Sequence, residues 1–240
     1  MIKTIICFFH AAVSMVFVTP LGLIATLLSP LGLRKQMSVI MYYIAMGWAL
    51  LLIKVIGCKV TVTGRENIPK KSGVCLVSNH GSIFDIVLLL AYSRRMIGFI
   101  AKKELLFIPI LNIWISILGG LFLDRKNGRK AIRTFNKGIA RLKDGGGMII
   151  FPEGHRSRGQ GLLPFHPGAL KLATQSEVVI VPVAIKDSYE VFERNYRANP
   201  VPVRITFCKP INTADIPVTG RKMLLSDQIY SVIKEALSSD

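Results

Sequence analysis

No acidic side chain occurs before Glu66, and the whole chain of 240 residues holds only 14 Asp and Glu against 31 Lys and Arg, a formal charge of +17. That shortage of acid disfavours cationic partners and favours anionic ones: nucleic acid, anionic lipid head groups or phosphorylated metabolites. Aromatic residues are also scarce, at 8%. With no RNP-like segment and no Cys/His finger spacing, nucleic acid is the weaker choice, and no nucleic-acid partner is expected. Cysteine is confined to Cys7, Cys58, Cys75 and Cys208, with no Cys-x-x-Cys. Isolated thiols of this kind fit a reducing compartment. No His, Cys or acidic residues recur at ligand spacing on one element, so neither a metal nor another cofactor is expected. Internal repeats and low-complexity stretches are lacking as well.

What the chain has in plenty is apolar surface, with 51% hydrophobic residues and a mean hydropathy of +0.46. Residues 1–57 hold only Lys3, Arg34, Lys35 and Lys54 as charges. Thr4 to Leu33 and Gln36 to Ile53 are uncharged runs of 30 and 18 residues, and a spanning helix needs about 20. Thr19-Pro20-Leu21-Gly22 and Ser29-Pro30-Leu31-Gly32 interrupt the first run, which predicts a broken or re-entrant path, then a turn at Arg34 and Lys35 and a second helix. Lys3 and the first run fit the start of a signal peptide, but no small-x-small site with a polar sequel follows and apolarity resumes at Gln36. The expectation is a two-helix membrane-embedded element over 1–57, followed by a globular domain over 58–240.

In that second part strand-like and helix-like patterns alternate. Strands are expected at 58–63, 73–78, 97–101, 120–123, 148–151, 178–185 (interrupted by Pro182) and 203–207. Helices are expected at 83–92, 110–118, 128–143, 169–174 and 222–237. The clearest is Gly128 to Lys143, where Ala131, Phe135, Ile139 and Leu142 fall at 3–4 spacing and Gly145-Gly146-Gly147 follows as a stop. Such alternation implies an α/β fold: a mostly parallel sheet flanked by helices.

Two segments carry chemistry. In Asn79-His80-Gly81-Ser82-Ile83-Phe84-Asp85, a histidine and an aspartate stand five residues apart, directly after a strand. On one regular helix that spacing is a rotation of about 140° and the side chains would diverge. They meet only if His80 lies in the turn before a helix and Asp85 in its first turn, where the dipole also favours a carboxylate. Asp85 would then orient one imidazole nitrogen and leave the other to take a proton from a hydroxyl. In Phe151-Pro152-Glu153-Gly154-His155-Arg156-Ser157-Arg158, a strand delivers Glu153 to the carboxyl edge of the sheet, where open α/β sheets bind ligands. Gly154 permits close backbone approach, and Arg156 offers a planar fork for phosphate. Lys102 and Arg125 follow two other strands as further cations. His155 and His166 read as loop residues.

These segments resemble the glycerolipid acyltransferase family, and within it the acylglycerol-phosphate acyltransferases. Asn79-His80 with Asp85 matches the family's NHxxxxD motif. Gly120-Leu121-Phe122-Leu123-Asp124-Arg125 matches its second, and Phe151 to Ser157 matches FPEGTRS except that His155 replaces Thr. Val181-Pro182-Val183-Ala184-Ile185 matches its fourth. The resemblance spans about residues 60–190, and the N-terminal apolar pair is similar to the membrane element of bacterial members. It implies that His80 and Asp85 catalyse transfer of an acyl group from acyl-CoA or acyl-ACP to the sn-2 hydroxyl of lysophosphatidic acid, giving phosphatidic acid for phospholipid biosynthesis. Lys102 and Arg156 would hold the acceptor phosphate, with Arg125 and Gly154 nearby and Glu153 on the glycerol. The expected location is a membrane, with the catalytic domain on its cytoplasmic face among membrane lipids. The uncharged run Leu105 to Leu118 is expected to carry an acyl tail, with Ile110 and Ile117 as positions that set its length. Competing readings are a related enzyme acting on glycerol 3-phosphate or another lysophospholipid, and a non-catalytic module that binds anionic lipid.

Overall fold

Runs rich in β-branched and aliphatic residues, three to eight long, give seven strands: β1 Lys59–Thr63, β2 Val74–Ser78, β3 Ile97–Lys102, β4 Leu121–Leu123, β5 Gly147–Ile150, β6 Val179–Lys186 and β7 Pro202–Phe207. The computed structural model describes residues 2–27, 32–213 and 221–239. The strands form one sheet in the order β1-β7-β6-β2-β5-β3-β4. Every pair is parallel except β6 with β7. Five strands (β6, β2, β5, β3 and β4) therefore end at one edge.

Helices are α1 Ile2–Leu27, α2 Arg34–Ile56, α3 Phe84–Tyr92, α4 Leu111–Ile117, α5 Gly128–Lys143, α6 Lys171–Ser176, α7 Ser188–Val191 and α8 Arg221–Ser238. They cover both faces of the sheet. β2 shows why its sequence is apolar at four of five positions: it is buried on both sides, as central parallel strands are. Val74 and Leu76 join Ala49, Ile53 and Ile56 of α2 and Leu88 of α3. Cys75 and Val77 face the other way, among Leu142 of α5, Leu172 of α6 and Leu225, Ile229 and Ile233 of α8. α2 is thus docked into the core rather than hung from it.

Two expectations are corrected. α1 runs unbroken through Pro20. Pro20 lies inside the helix and removes one hydrogen bond, and packing of α1 on α2 and α4 holds the path. The second interruption, Ser29-Pro30-Leu31, lies outside the described residues. β6 likewise runs through Pro182. The Pro182 carbonyl accepts from Cys208 N–H at 2.8 Å, and the ladder to β7 begins only at Val183, so the missing N–H falls beyond the last rung.

α1 and α2 contain 23- and 21-residue segments of mean hydropathy 2.0 and 2.1, long and apolar enough to cross a membrane, and only 20% and 39% buried. Phe9, Phe17 and Ile24 of α1 and Ile40, Tyr43 and Leu51 of α2 stand exposed. Apolar surface on this scale is unfavourable in water.

Candidate active site

At the end of β2, Asn79 closes the strand. Its Oδ1 accepts from Ile185 N–H at 2.8 Å and its Nδ2 donates to Ile185 O at 2.9 Å. The side chain thus adds a rung between β2 and β6 and fixes where the chain leaves the sheet. His80 then lies in the turn, and Asp85 in the first turn of α3. His80 Nδ1 is 2.8 Å from Asp85 Oδ2, and the same oxygen accepts from Ser82 N–H at 2.9 Å. An ionised carboxylate only accepts, so the shared proton belongs to Nδ1 and Nε2 keeps a lone pair. Asp85 is fully buried, whereas His80 leaves 18% of its side chain open. The imidazole also stacks on Phe151, with centroids 4.0 Å apart and planes at 22°.

The second segment is stitched to the first through the backbone of His80. Glu153 Oε1 accepts from His80 N–H at 2.6 Å, and Oε2 accepts from Leu163 N–H at 3.1 Å. Ser157 N–H donates to His80 O at 2.8 Å. Glu153 is 1% exposed. Burial pushes its carboxyl above the ordinary 4.5, while the two amides and the facing His80 pull it back. With both oxygens engaged by main-chain N–H groups, Glu153 holds the base in place.

Gly154 adopts φ +75°, which favours glycine, and a Cβ there would sit in a tight contact 3.2 Å from the His166 ring. Arg125 Nη2 donates to Gly154 O at 2.9 Å. Asp124 shapes the turn that delivers Arg125: it accepts from Lys103 Nζ and Lys126 N–H at 2.9 and 3.1 Å, and the Lys103 bond holds its carboxyl below the usual range. Lys102 ends β3 with an exposed side chain, separated from β2 by β5. His155 is exposed in the turn.

Arg156 pairs with Glu193, whose Oε2 accepts from Ile83 N–H at 2.8 Å. Glu193 thereby ties the arginine to the turn that carries His80. Arg156, Arg158, Tyr189 and Phe192 line a cavity of about 210 Å³ there. Nothing in Glu190 to Arg197 marks Glu193 in the sequence: it belongs to no motif and its partners are 37 and 110 residues away. Asn79 and Phe151 lie inside the two motifs but without a role assigned to them. Among the described residues no three His, Cys, Asp or Glu side chains come together as metal ligands.

Beside the turn, an apolar cavity of about 300 Å³ lies between α2, α3 and α4, lined among others by Ala45, Trp48, Ile83, Val87, Leu90, Leu105, Leu111 and Ile115. Ile83, three residues after His80, borders both cavities. Ile110 and Ile117 pack instead against the cluster around Met41 and Tyr42.

A family model described as Acyltransferase matches residues 59–186. The chain is 35% identical over 139 residues to 1-acyl-sn-glycerol-3-phosphate acyltransferase from Borreliella burgdorferi, an alignment covering 58% of this chain and 56% of that one. It is 30% identical over 216 residues to the enzyme of the same name from Limnanthes douglasii, covering 89% and 74%. The chain thus spans about half to three quarters of the length of these two relatives. The crystal structure of the 1-acyl-sn-glycerophosphate (LPA) acyltransferase from Thermotoga maritima superposes with a TM-score of 0.84 at 28% identity, covering 98% of this chain and 93% of that one.

Proposed function

The chain belongs to the Acyltransferase family, and from that premise we propose that it transfers a fatty acyl group from a thioester donor to the sn-2 hydroxyl of 1-acyl-sn-glycerol-3-phosphate. The observation that carries the reading is the buried Asp85 holding the partly exposed turn histidine at 2.8 Å. A module that only adheres to anionic lipid has no use for this arrangement.

His80 Nε2 takes the proton of the acceptor hydroxyl as that oxygen attacks the thioester carbonyl. Asp85 keeps the ring in the productive tautomer and offsets the charge of the imidazolium. The tetrahedral adduct collapses, the carbon–sulfur bond breaks, and the thiolate recovers the proton from the imidazolium. Phosphatidic acid and a free thiol leave. Glu153 and Ser157 clamp the backbone of His80 throughout.

The acceptor phosphate is assigned to Arg156 and Lys102, with Arg125 completing the cationic edge. A charge-assisted hydrogen bond is worth about 1.5–3 kcal/mol, so Arg156→Ala should raise the KM for the acceptor about 10–100-fold, with a smaller change in kcat. An unchanged acceptor KM in steady-state kinetics would remove Arg156 from the site.

An acyl tail is assigned to the apolar cavity, whose about 300 Å³ lies at the lower end of ligand-pocket sizes, roughly 300–1,000 Å³. Ala45 lines it from α2 and is 2% exposed. Ala45→Phe should therefore shift selectivity toward shorter chains across a graded series of donors and acceptors. The same preference in both proteins would place the tail elsewhere. Membrane association follows from the two apolar helices. The cytoplasmic face is proposed because acyl-CoA and acyl-ACP are cytosolic.

Purified protein supplied with the lysophosphatidic acid acceptor and either acyl-CoA or acyl-ACP should release phosphatidic acid in at least one arm, and the arms identify the donor. No product in either arm would overturn the reading.

A further inference from the structure

Leu106, Phe107 and Ile108 are consecutive apolar residues that stand in the open, exposed by 46, 77 and 45%. They are held out by specific bonds. Ile108 N–H donates to Leu105 O at 3.3 Å, and Asn112 donates from its backbone to Ile108 O at 3.1 Å and from its Nδ2 to Leu106 O at 2.9 Å. Ile110, just beyond, adopts φ +68°, a region that β-branched residues avoid. Strain kept at such a place is an observation that asks for a function.

The position of the triad identifies its partner. α4 follows directly and packs on α1. At their contact a Cβ on Gly22 would lie 2.6 Å from Ile117 and 3.7 Å from Ile113, so the helix that follows the triad lies directly against α1. Lys102, exposed at the end of β3, lies four residues before the triad with Glu104 between them, and Lys103 is held by Asp124, so Lys102 is the cation near its base. Leu105 and Leu111, which bracket it, both line the apolar cavity. A lipid surface satisfies these features: an apolar interior for the triad, head groups for Lys102, and continuity with α1.

We propose that Leu106, Phe107 and Ile108 are a third membrane contact, which dips into the lipid beside α1 and seats the rim of the acyl cavity among the lipid chains. An acyl tail then passes between bilayer and cavity without crossing water. The proposal rests on reading α1 and α2 as membrane helices and goes beyond it.

The test uses the full chain reconstituted with vesicles of mixed anionic and zwitterionic phospholipid, some brominated along the acyl chains. Phe107→Trp is compared with Ile132→Trp on α5, where the native side chain is 56% exposed on the opposite face of the sheet. Emission from Trp48 and Trp114 is subtracted with the wild type. The emission added at 107 should shift to the blue and be lost to bromines about 5–10 Å below the head groups, whereas that at 132 should be unaffected. Leu106→Trp repeats the measurement should the first variant fold poorly. Emission at 106 and 107 no more quenched than at 132, in protein that does bind the vesicles, overturns the proposal. Protein that does not bind the vesicles overturns the membrane reading of α1 and α2 and this proposal with it, leaving the catalytic assignment standing.

Discussion

Alanine in place of His80 should slow acyl transfer by about 10²–10⁴-fold, roughly 3–5 kcal/mol of barrier, the usual contribution of a positioned general base. The fold gives this variant unusual clarity. The bonds that His80 makes to Glu153 and Ser157 use its N–H and C=O, and alanine keeps both. What disappears is the imidazole, its bond to Asp85 and its stacking on Phe151. Initial rates and melting temperature measured on the same preparation should therefore separate, with rate collapsing and melting little changed. Asp85→Asn should follow it: an amide nitrogen toward Nδ1 favours the other tautomer and puts the proton on Nε2. A His80→Ala protein as fast as wild type would mean that the base lies elsewhere.

Glu153→Ala should be the most destabilising change at the site. It leaves His80 N–H and Leu163 N–H without their acceptor, and each buried orphan donor costs about 1–3 kcal/mol, so a loss of roughly 2–6 kcal/mol is expected. Activity should fall with it, because the turn that aims His80 loses its support. Glu153→Gln separates charge from shape: its amide oxygen serves one N–H and its nitrogen opposes the other. A pH signature accompanies this. Burial raises the Glu153 carboxyl above the ordinary 4.5 in the folded state, so the folded protein binds that proton more tightly than the unfolded chain does. The contribution of this group to stability is therefore greatest below 4.5 and declines as pH rises through the raised folded value. The melting temperature of wild type minus that of Glu153→Gln, followed against pH, should decline across that window. A difference that rises there contradicts the assignment.

Local pattern carried much of this architecture. α5 is legible to both ends because its apolar stripe is strict and Gly145, at φ +80°, stops it. The β2–turn–α3 unit is legible because the five-residue spacing of His80 and Asp85 has one solution. What local pattern does not contain is long-range placement. The reversal of β7 is set by its antiparallel pairing with β6, and β1 shares it only through its parallel pairing with β7, Lys59 opposite Pro202. Glu193 reaches Arg156 only because β6 and α7 bring it back to the edge. The short turn of helix at Lys103–Phe107 is absorbed in an apolar run whose period is ambiguous. Pro182 misleads because its absent N–H falls at the end of the β7 ladder, and Pro20 because packing of α1 offsets the lost bond; both depend on neighbours rather than on sequence. The bonds of Glu153 to the backbone were not legible, because solvent-facing and backbone-facing carboxylates look alike in a motif.

The central claim is that His80 activates the hydroxyl of a lysophosphatidic acid held at the membrane surface. The most direct measurement offers vesicle-reconstituted protein one thioester donor and an equimolar mixture of 1-acylglycerol 3-phosphate, glycerol 3-phosphate and lysophosphatidylcholine, and identifies the products by mass for wild type and His80→Ala. The account predicts phosphatidic acid acylated at sn-2 as the dominant product of wild type, nearly absent from the variant. Dominant acylation of another acceptor, or phosphatidic acid formed equally by both proteins, would contradict it.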